Sequence, residues 1–183
     1  MRVYFVGSTC VGKTTLARYV SEKCDIRLIT EVARMILSEQ ELQLDSLRTN
    51  LDMVDSYQSD IFFRQLEEEE KYKDFVSDRS LDCLAYTAQH SRILSKIISS
   101  PEFANYLAKL AAKDTLIFFV RPCKSLLKQD GVRERLDWDA IISIDGMVKF
   151  MLEQFGLNYI SINMESMQER VRFIDSVLAL KNS

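Results

Sequence analysis

Five short apolar runs punctuate the chain: "VYFV" at 3–6, "IRLI" at 26–29, "FVS" at 75–77, "TLIFFV" at 115–120 and "NYISI" at 158–162. Each is rich in β-branched and aromatic residues and bounded by polar or glycine positions, the pattern of a buried strand. Between them the apolar positions recur at helical spacing. Helices are expected over Thr14–Cys24, Val32–Glu39, Asp45–Tyr72, Leu81–Ser99, Pro101–Lys113 and Trp138–Phe155. A final helix buries Met167, Val171, Ile174 and Leu178. The Asp45–Tyr72 stretch carries Leu47, Leu51, Val54, Ile61, Phe62 and Leu66 on one face and ends in "EEEE" at 67–70, which reads as a solvated helix face. Strands alternating with helices predict the α/β class, with a parallel sheet covered on both sides. Ligands of such sheets bind beyond the carboxyl ends of the strands.

Composition narrows the class. A chain of 183 residues fits a single domain spanning 1–183, and its hydrophobic share of 47% supplies a sizeable core. With 5 Gly and 2 Pro, long flexible linkers are not expected. The net charge of -3 disfavours a broad nucleic-acid-binding surface and leaves room only for a local basic groove. The four cysteines at 10, 24, 83 and 123 form no C-x-x-C pair, and His90 is the one histidine, so the expectation is reduced thiols rather than a zinc site. The first strand starts directly after Met1 and no apolar run approaches the ~20 residues that span a bilayer, so a cytoplasmic protein with no membrane partner is expected.

The most specific chemical signal follows the first strand. "GSTCVGKT" at 7–14 matches G-x-x-x-x-G-K-[ST], a loop whose backbone N–H groups curl around phosphate oxygens. Gly7 and Gly12 permit the curl, and the helix that follows adds its positive N-terminal end. The segment Gly7, Ser8, Thr9, Cys10, Val11, Gly12, Lys13, Thr14 and Thr15 is therefore the expected triphosphate cradle. Lys13 supplies a mobile positive charge for the outer phosphates, and the Thr14 hydroxyl is the expected Mg²⁺ ligand.

Three further polar clusters fall at expected strand ends. "TEVAR" places Glu31 and Arg34 after the second strand, and "SDRS" places Asp78, Arg79 and Ser80 after the third. After the fourth come Arg121, Lys124, Lys128, Arg133 and Arg135. Each has a plain alternative: Glu31 as a helix N-terminal acid, Asp78 as a helix cap, Arg79 as a local partner of Asp82, Asp130-Gly131 as a turn. Phosphoryl transfer, however, needs positive charge, Mg²⁺ and a carboxylate near the attacking hydroxyl. Glu31 suits that carboxylate, Asp78 suits the metal beside Thr14, and the basic 121–137 segment suits a lid that closes over the phosphates through Arg121, Arg133 and Arg135.

Together "GSTCVGKT", "TEVAR", "SDRSLDCLAY" and "DGVR" resemble the P-loop small-molecule kinases, in particular the ribosylnicotinamide-kinase-like group classed as an AAA-named ATPase family. "DRSLDCLAYTAQ" is also similar to a segment of thymidylate and deoxynucleoside kinases. The resemblance implies a three-layer P-loop NTPase fold with strand order 2-3-1-4-5 and an arginine-bearing lid after strand four. It implies ATP and Mg²⁺ as cofactors, with Lys13, Glu31, Asp78, Arg79 and Arg133 as the catalytic set and Tyr86 near the acceptor. The long helix would wall the acceptor pocket through Tyr57, Gln58, Phe62, Phe63 and Arg64, and residues 161–171 fall where such kinases hold the base. The chain departs from the pattern in two ways. No adenylyltransferase domain precedes it, so a bifunctional nicotinamide-cofactor enzyme is not expected, and the thymidylate kinase E-P-G-G segment is replaced by "TEVAR".

The function expected is ATP-dependent transfer of the γ-phosphoryl group to a nucleoside, a nucleoside monophosphate or a related small metabolite. The alternatives are a kinase acting on a nucleic-acid hydroxyl and a non-catalytic ATP-binding regulator. A guanine-nucleotide switch is disfavoured, because neither D-x-x-G nor N-K-x-D occurs. The acceptor and a homodimer are left open.

Overall fold

In a computed structural model the described residues are 1–30, 32, 36, 50–126 and 137–181. The expected alternation is present. Strands β1 (Arg2–Val6), β2 (Arg27–Ile29), β3 (Phe75–Ser77), β4 (Thr115–Val120) and β5 (Ile160–Ile162) form one sheet in the order β2-β3-β1-β4-β5. Every neighbouring pair is parallel. The helices are α1 (Lys13–Cys24), α2 (Leu51–Glu70), α3 (Asp82–His90), α4 (Leu94–Ile98), α5 (Pro101–Leu110), α6 (Trp138–Gln154) and α7 (Met167–Lys181). Of the helix expected over 32–39, only Val32 and Ile36 are among the described residues; both are buried in helical backbone.

The helix boundaries follow from local chemistry. Asn50 opens α2 by accepting from the N–H groups of Asp52 and Met53 at 3.0 and 3.2 Å, which satisfies two donors that a helix start leaves unpaired. The Ser100 hydroxyl does the same for Phe103 at 3.2 Å, with Pro101 in the first turn of α5. The run expected as one helix over Leu81–Ser99 is instead two. Ser91 turns extended at the end of α3, where its N–H and its hydroxyl both close back on the Thr87 carbonyl, at 3.0 and 2.7 Å.

Alternation along the strands divides the core into two layers. Tyr4 and Val6 of β1 join Phe119 of β4 in a cluster against α2, α3, α5 and α6. Val3 and Phe5 face the opposite way and join Phe118, Val120, Leu16, Val20 and Ile174 beneath α1 and α7. Successive strand residues point to opposite faces, so a sheet covered on both sides needs consecutive apolar residues, as residues 3–6 of β1 and 116–120 of β4 supply.

One acidic residue departs from expectation. Glu67 and Glu70 of the "EEEE" run are exposed, but Glu69 is buried. Four consecutive helical positions sweep through a full turn, so one of them must face inward.

Because β1 pairs with β3 on one side and β4 on the other, the chain crosses over β1 on its way from β3 to β4. The carboxyl end of β1 is therefore the point where a crevice opens in such a sheet. The "GSTCVGKT" loop lies there.

Candidate active site

The loop between β1 and α1 runs close against its surroundings at its two glycines. Gly7 has φ +146, and a Cβ there would lie 2.4 Å from the carbonyl oxygen of Val120 at the end of β4. Gly12 has φ +94, and a Cβ there would meet the Met167 side chain at 2.7 Å. Both positions thus favour glycine for conformation, and Gly7, which faces backbone, needs it for space as well. Cys10 also sits at positive φ, at the loop's turn.

Lys13 folds back over the loop. Its ammonium donates to the carbonyl oxygens of Gly7 and Ser8, each at 2.7 Å, and lies 3.5 Å from the Asp82 carboxylate. Burial lowers the Lys13 pKa, while Asp82 and Asp78 act to retain the charge. Asp82, wholly buried at the start of α3, had appeared in the sequence only as a local partner for Arg79. Its place beside Lys13 is a product of packing between α3 and the loop.

The Thr14 hydroxyl donates to Asp78 Oδ2 at 2.7 Å, and the Thr30 hydroxyl donates to the same oxygen at 2.8 Å. The other oxygen, Asp78 Oδ1, is buried with no hydrogen-bond partner among the described residues. Asp78 does not cap α3: the residue preceding that helix is Leu81, which makes no side-chain cap, and Asp82 itself accepts from Ser80 N–H at 2.7 Å. A carboxylate oxygen lacking a donor, next to a hydroxyl at a helix start, is a hard-oxygen donor set of the kind that suits Mg²⁺ completed by phosphate and water. Among the described residues no group of three or more His, Cys, Asp or Glu forms a self-sufficient metal cluster.

Arg79 follows on the same turn. Burial works against its charge, but the carboxylates of Asp82 and Asp78 outweigh that and hold its pKa above the usual value. Tyr86, on the next turn of α3, accepts a hydrogen bond from Thr9 N–H at 3.0 Å. Burial and the Asp82 charge push its phenol up to about 12, so it stays neutral and braces the loop.

Arg121, expected in the lid, is occupied elsewhere. Its guanidinium forms a bidentate pair with Asp145 of α6, Nε to Oδ1 at 3.0 Å and Nη2 to Oδ2 at 2.7 Å, above the Phe119 ring. That pair would have to open for Arg121 to reach a nucleotide. Glu31, Arg34, Lys128, Arg133 and Arg135, with most of the 121–137 lid, lie outside the described residues. Of the expected acceptor wall, Phe62 is core, packed on Phe103 and Tyr106, and Gln58 accepts from the Thr87 hydroxyl at 3.2 Å.

The phosphate-type loop at the crossover point of a parallel 2-3-1-4-5 sheet sets the comparison with known proteins. A family model described as an AAA domain matches residues 2–170. The chain belongs to the AAA domain family. NadR in complex with NR is similar to it in fold, with a TM-score of 0.73 at 16% identity over 100% of this chain and 52% of NadR. The AAA domain chain thus spans about half the length of that protein. Deoxyadenosine kinase from M. mycoides with bound dCTP gives a TM-score of 0.72 at 13% identity, covering 98% of this chain and 99% of the kinase. Shikimate kinase from Acinetobacter baumannii in complex with shikimate gives 0.56 at 11%, covering 98% and 91%. At such identities the likeness is one of fold, and the fold is that of the P-loop small-molecule kinases. No curated protein matches the sequence significantly.

This AAA domain also carries a site residue that the sequence did not single out. Arg170 of α7 is fully buried and donates to three backbone carbonyls: Val11 at 2.7 Å, Met164 at 2.8 Å and Arg121 at 3.0 Å. Burial lowers its pKa. It ties the loop to the ends of β4 and β5. An arginine in an amphipathic helix has the same sequence signature whether it faces solvent or backbone, so only packing distinguishes it. Among the described residues no helix is long and apolar enough to cross a membrane.

Proposed function

We propose that this chain is an ATP-dependent kinase that phosphorylates a nucleoside, a nucleoside monophosphate or a related small metabolite. The observation that carries this reading is the Thr14–Asp78 contact with its unpartnered Oδ1, which joins the loop after β1 to the carboxylate after β3. The fold shared with small-molecule kinases supports it.

In this reading the N–H groups of the 7–15 segment receive the phosphates of ATP, and Lys13 leaves the Gly7 and Ser8 carbonyls to meet their outer oxygens. Thr14 and Asp78 would hold Mg²⁺, which when bound neutralises charge on the phosphate oxygens. The acceptor hydroxyl forms a bond to the γ-phosphorus as the bond to the bridging oxygen breaks and ADP departs. Glu31 takes the hydroxyl proton; it directly follows Thr30, whose side chain donates to Asp78. Arg79, held charged beside Asp78 and Asp82, stabilises charge on the transferred group, and Arg133 and Arg135 close over it. The chain is proposed to act as one domain with its lid at about 121–137, in the cytoplasm.

The test is release of ADP from ATP and Mg²⁺ with a panel of nucleosides, nucleoside monophosphates, ribosylnicotinamide, shikimate and DNA oligonucleotides. Release that depends on a small acceptor and disappears in Lys13→Ala is expected. Nucleotide binding with no acceptor-dependent release would overturn the reading.

A further inference from the structure

We propose that Glu69 is a positioning residue for the phosphate-binding site, acting on the Asp78–Asp82 segment and on Lys13 through two hydrogen-bonded chains. The inference rests on the nucleotide-site reading above and adds a residue from outside it. Glu69 sits at the end of α2, in the run that the sequence marked as solvated.

The first chain runs through Gln65. Its amide nitrogen donates to Glu69 Oε1 at 2.8 Å and to the Ser77 hydroxyl oxygen at 2.9 Å. The same Ser77 oxygen accepts from Arg79 N–H at 3.3 Å. The second runs through Tyr106, whose hydroxyl lies 3.4 Å from Glu69 Oε1 and 2.7 Å from the Ser80 hydroxyl. Ser80 N–H donates to Asp82 Oδ1, and Asp82 Oδ2 faces the Lys13 ammonium. Tyr4 of β1 donates to the remaining oxygen, Glu69 Oε2, at 2.6 Å. A buried carboxylate thus gathers three donors, two of which lead to the turn after β3.

Such a carboxylate has no evident packing role. A buried charge is costly unless paired, and among the described residues no cation pairs with Glu69. Lys109 of α5, whose charge acts on it, is bonded to Glu70. Burial is the dominant influence and raises Glu69 to about 7, against the opposing effect of Tyr4, Gln65, Lys109 and Tyr106. The titratable and charged groups facing it are Tyr4 from β1, Tyr106 and Lys109 from α5 and Cys83 from α3, with Arg2, Glu70, Tyr72, Lys73 and Asp114 across the adjoining cleft. Burial raises Tyr4, Tyr106 and Cys83, away from neutrality. A cleft of about 360 Å³ lined by Arg2, Tyr4, Glu69, Tyr72, Lys109 and Asp114 gives the carboxyl a route for proton exchange.

The two protonation states give the second chain opposite polarity. An ionised carboxylate only accepts, so Tyr106 donates to it and the Ser80 hydroxyl donates to Tyr106. A protonated Oε1 donates to Tyr106, and the Tyr106 O–H turns to Ser80. The ionised form also keeps Gln65 and Tyr4 as donors. In the proposal it is this ionised form that holds Arg79 and, through Asp82, Lys13 in place for the phosphates.

The experiment uses the whole chain, Mg·ATP as probe and Glu69→Gln, which keeps the side chain's size and one acceptor oxygen. Affinity is measured calorimetrically from about pH 5.5 to about pH 8.5, alongside acceptor-dependent ADP release. Ionisation of the nucleotide is common to both proteins. The unaltered protein is expected to gain about fivefold in affinity across neutrality beyond any gain in Glu69→Gln. Linkage then requires Mg·AMP-PNP to lower the midpoint at which the Glu69 carboxyl carbon titrates by NMR in the unaltered protein, a measurement independent of how the variant folds. A midpoint that nucleotide does not move, or the same affinity profile in both proteins, overturns the proposal. The pH step without ADP release from any acceptor would keep the role of Glu69 and remove the kinase reading. ADP release without the step would do the reverse, and absence of Mg·ATP binding at every pH would overturn both.

Discussion

Thr14 and Asp78 stand 64 positions apart in sequence and 2.7 Å apart in the fold. Their contact brings the hydroxyl at the start of α1 against the carboxylate at the end of β3, and it leaves Asp78 Oδ1 buried without a donor among the described residues. Asp78→Asn replaces one carboxylate oxygen by an amide nitrogen that cannot ligate a hard cation, and removes the negative charge. Affinity for ATP in the presence of Mg²⁺ should fall about tenfold or more, with metal-free ATP affinity changed little. Calorimetry with and without Mg²⁺ checks this; equal losses under both conditions would remove Asp78 from the metal site.

Glu31 is proposed to take the proton of the acceptor hydroxyl. Glu31→Gln should lower turnover by about 100-fold, within the usual range for a general base, while ATP affinity stays within about twofold. Steady-state kinetics with a nucleotide titration separates the two. Unchanged turnover would sink the assignment.

Arg170 satisfies three buried carbonyls with one side chain. Arg170→Met would orphan all three and should destabilise the fold by roughly 3 kcal/mol, the scale of losing charge-assisted hydrogen bonds. Arg170→Lys keeps the charge but cannot reach three acceptors, so an intermediate loss is expected. Urea unfolding of the three proteins reads this directly, and a change below about 0.5 kcal/mol in Arg170→Met would show that the loop does not depend on it.

Glu69 also makes stability depend on pH in a definite direction. Its carboxyl is raised from 4.5 to about 7 on folding. The native state therefore holds its proton over a range where the unfolded chain has lost it. The contribution is fully present below the unfolded value and is lost as pH rises through the folded one, by about 3 kcal/mol in total. Relative to Glu69→Gln, the unaltered protein should become steadily less stable from about pH 4.5 to about pH 8. Unfolding curves that differ by a constant amount at every pH would contradict the shift.

The curl at Gly7 and Gly12 and the helix that starts at Lys13 were legible because the spacing of the motif dictates backbone shape directly. The strands were legible because blocks such as "TLIFFV" carry their burial in adjacent residues. The sheet order that the kinase resemblance implied is the one observed. Asp82, Tyr86 and Arg170 were not legible as loop partners. Each is an ordinary helical residue whose neighbour lies 69, 77 or 159 positions away.

The sequence alone determined the five strands, most of the helices among the described residues, the loop motif between the first strand and its helix, and the acidic-basic pair after the third strand. These features depend on residues a few positions apart, whose periodicity and backbone preferences act locally. Tertiary structure alone decided that Asp78 faces Thr14 instead of capping α3, that Arg121 is held by Asp145, and that Glu69 turns inward to Tyr4 and Gln65. A polar side chain takes its partner from whatever element packing places opposite it, and its own sequence neighbourhood carries no record of that choice.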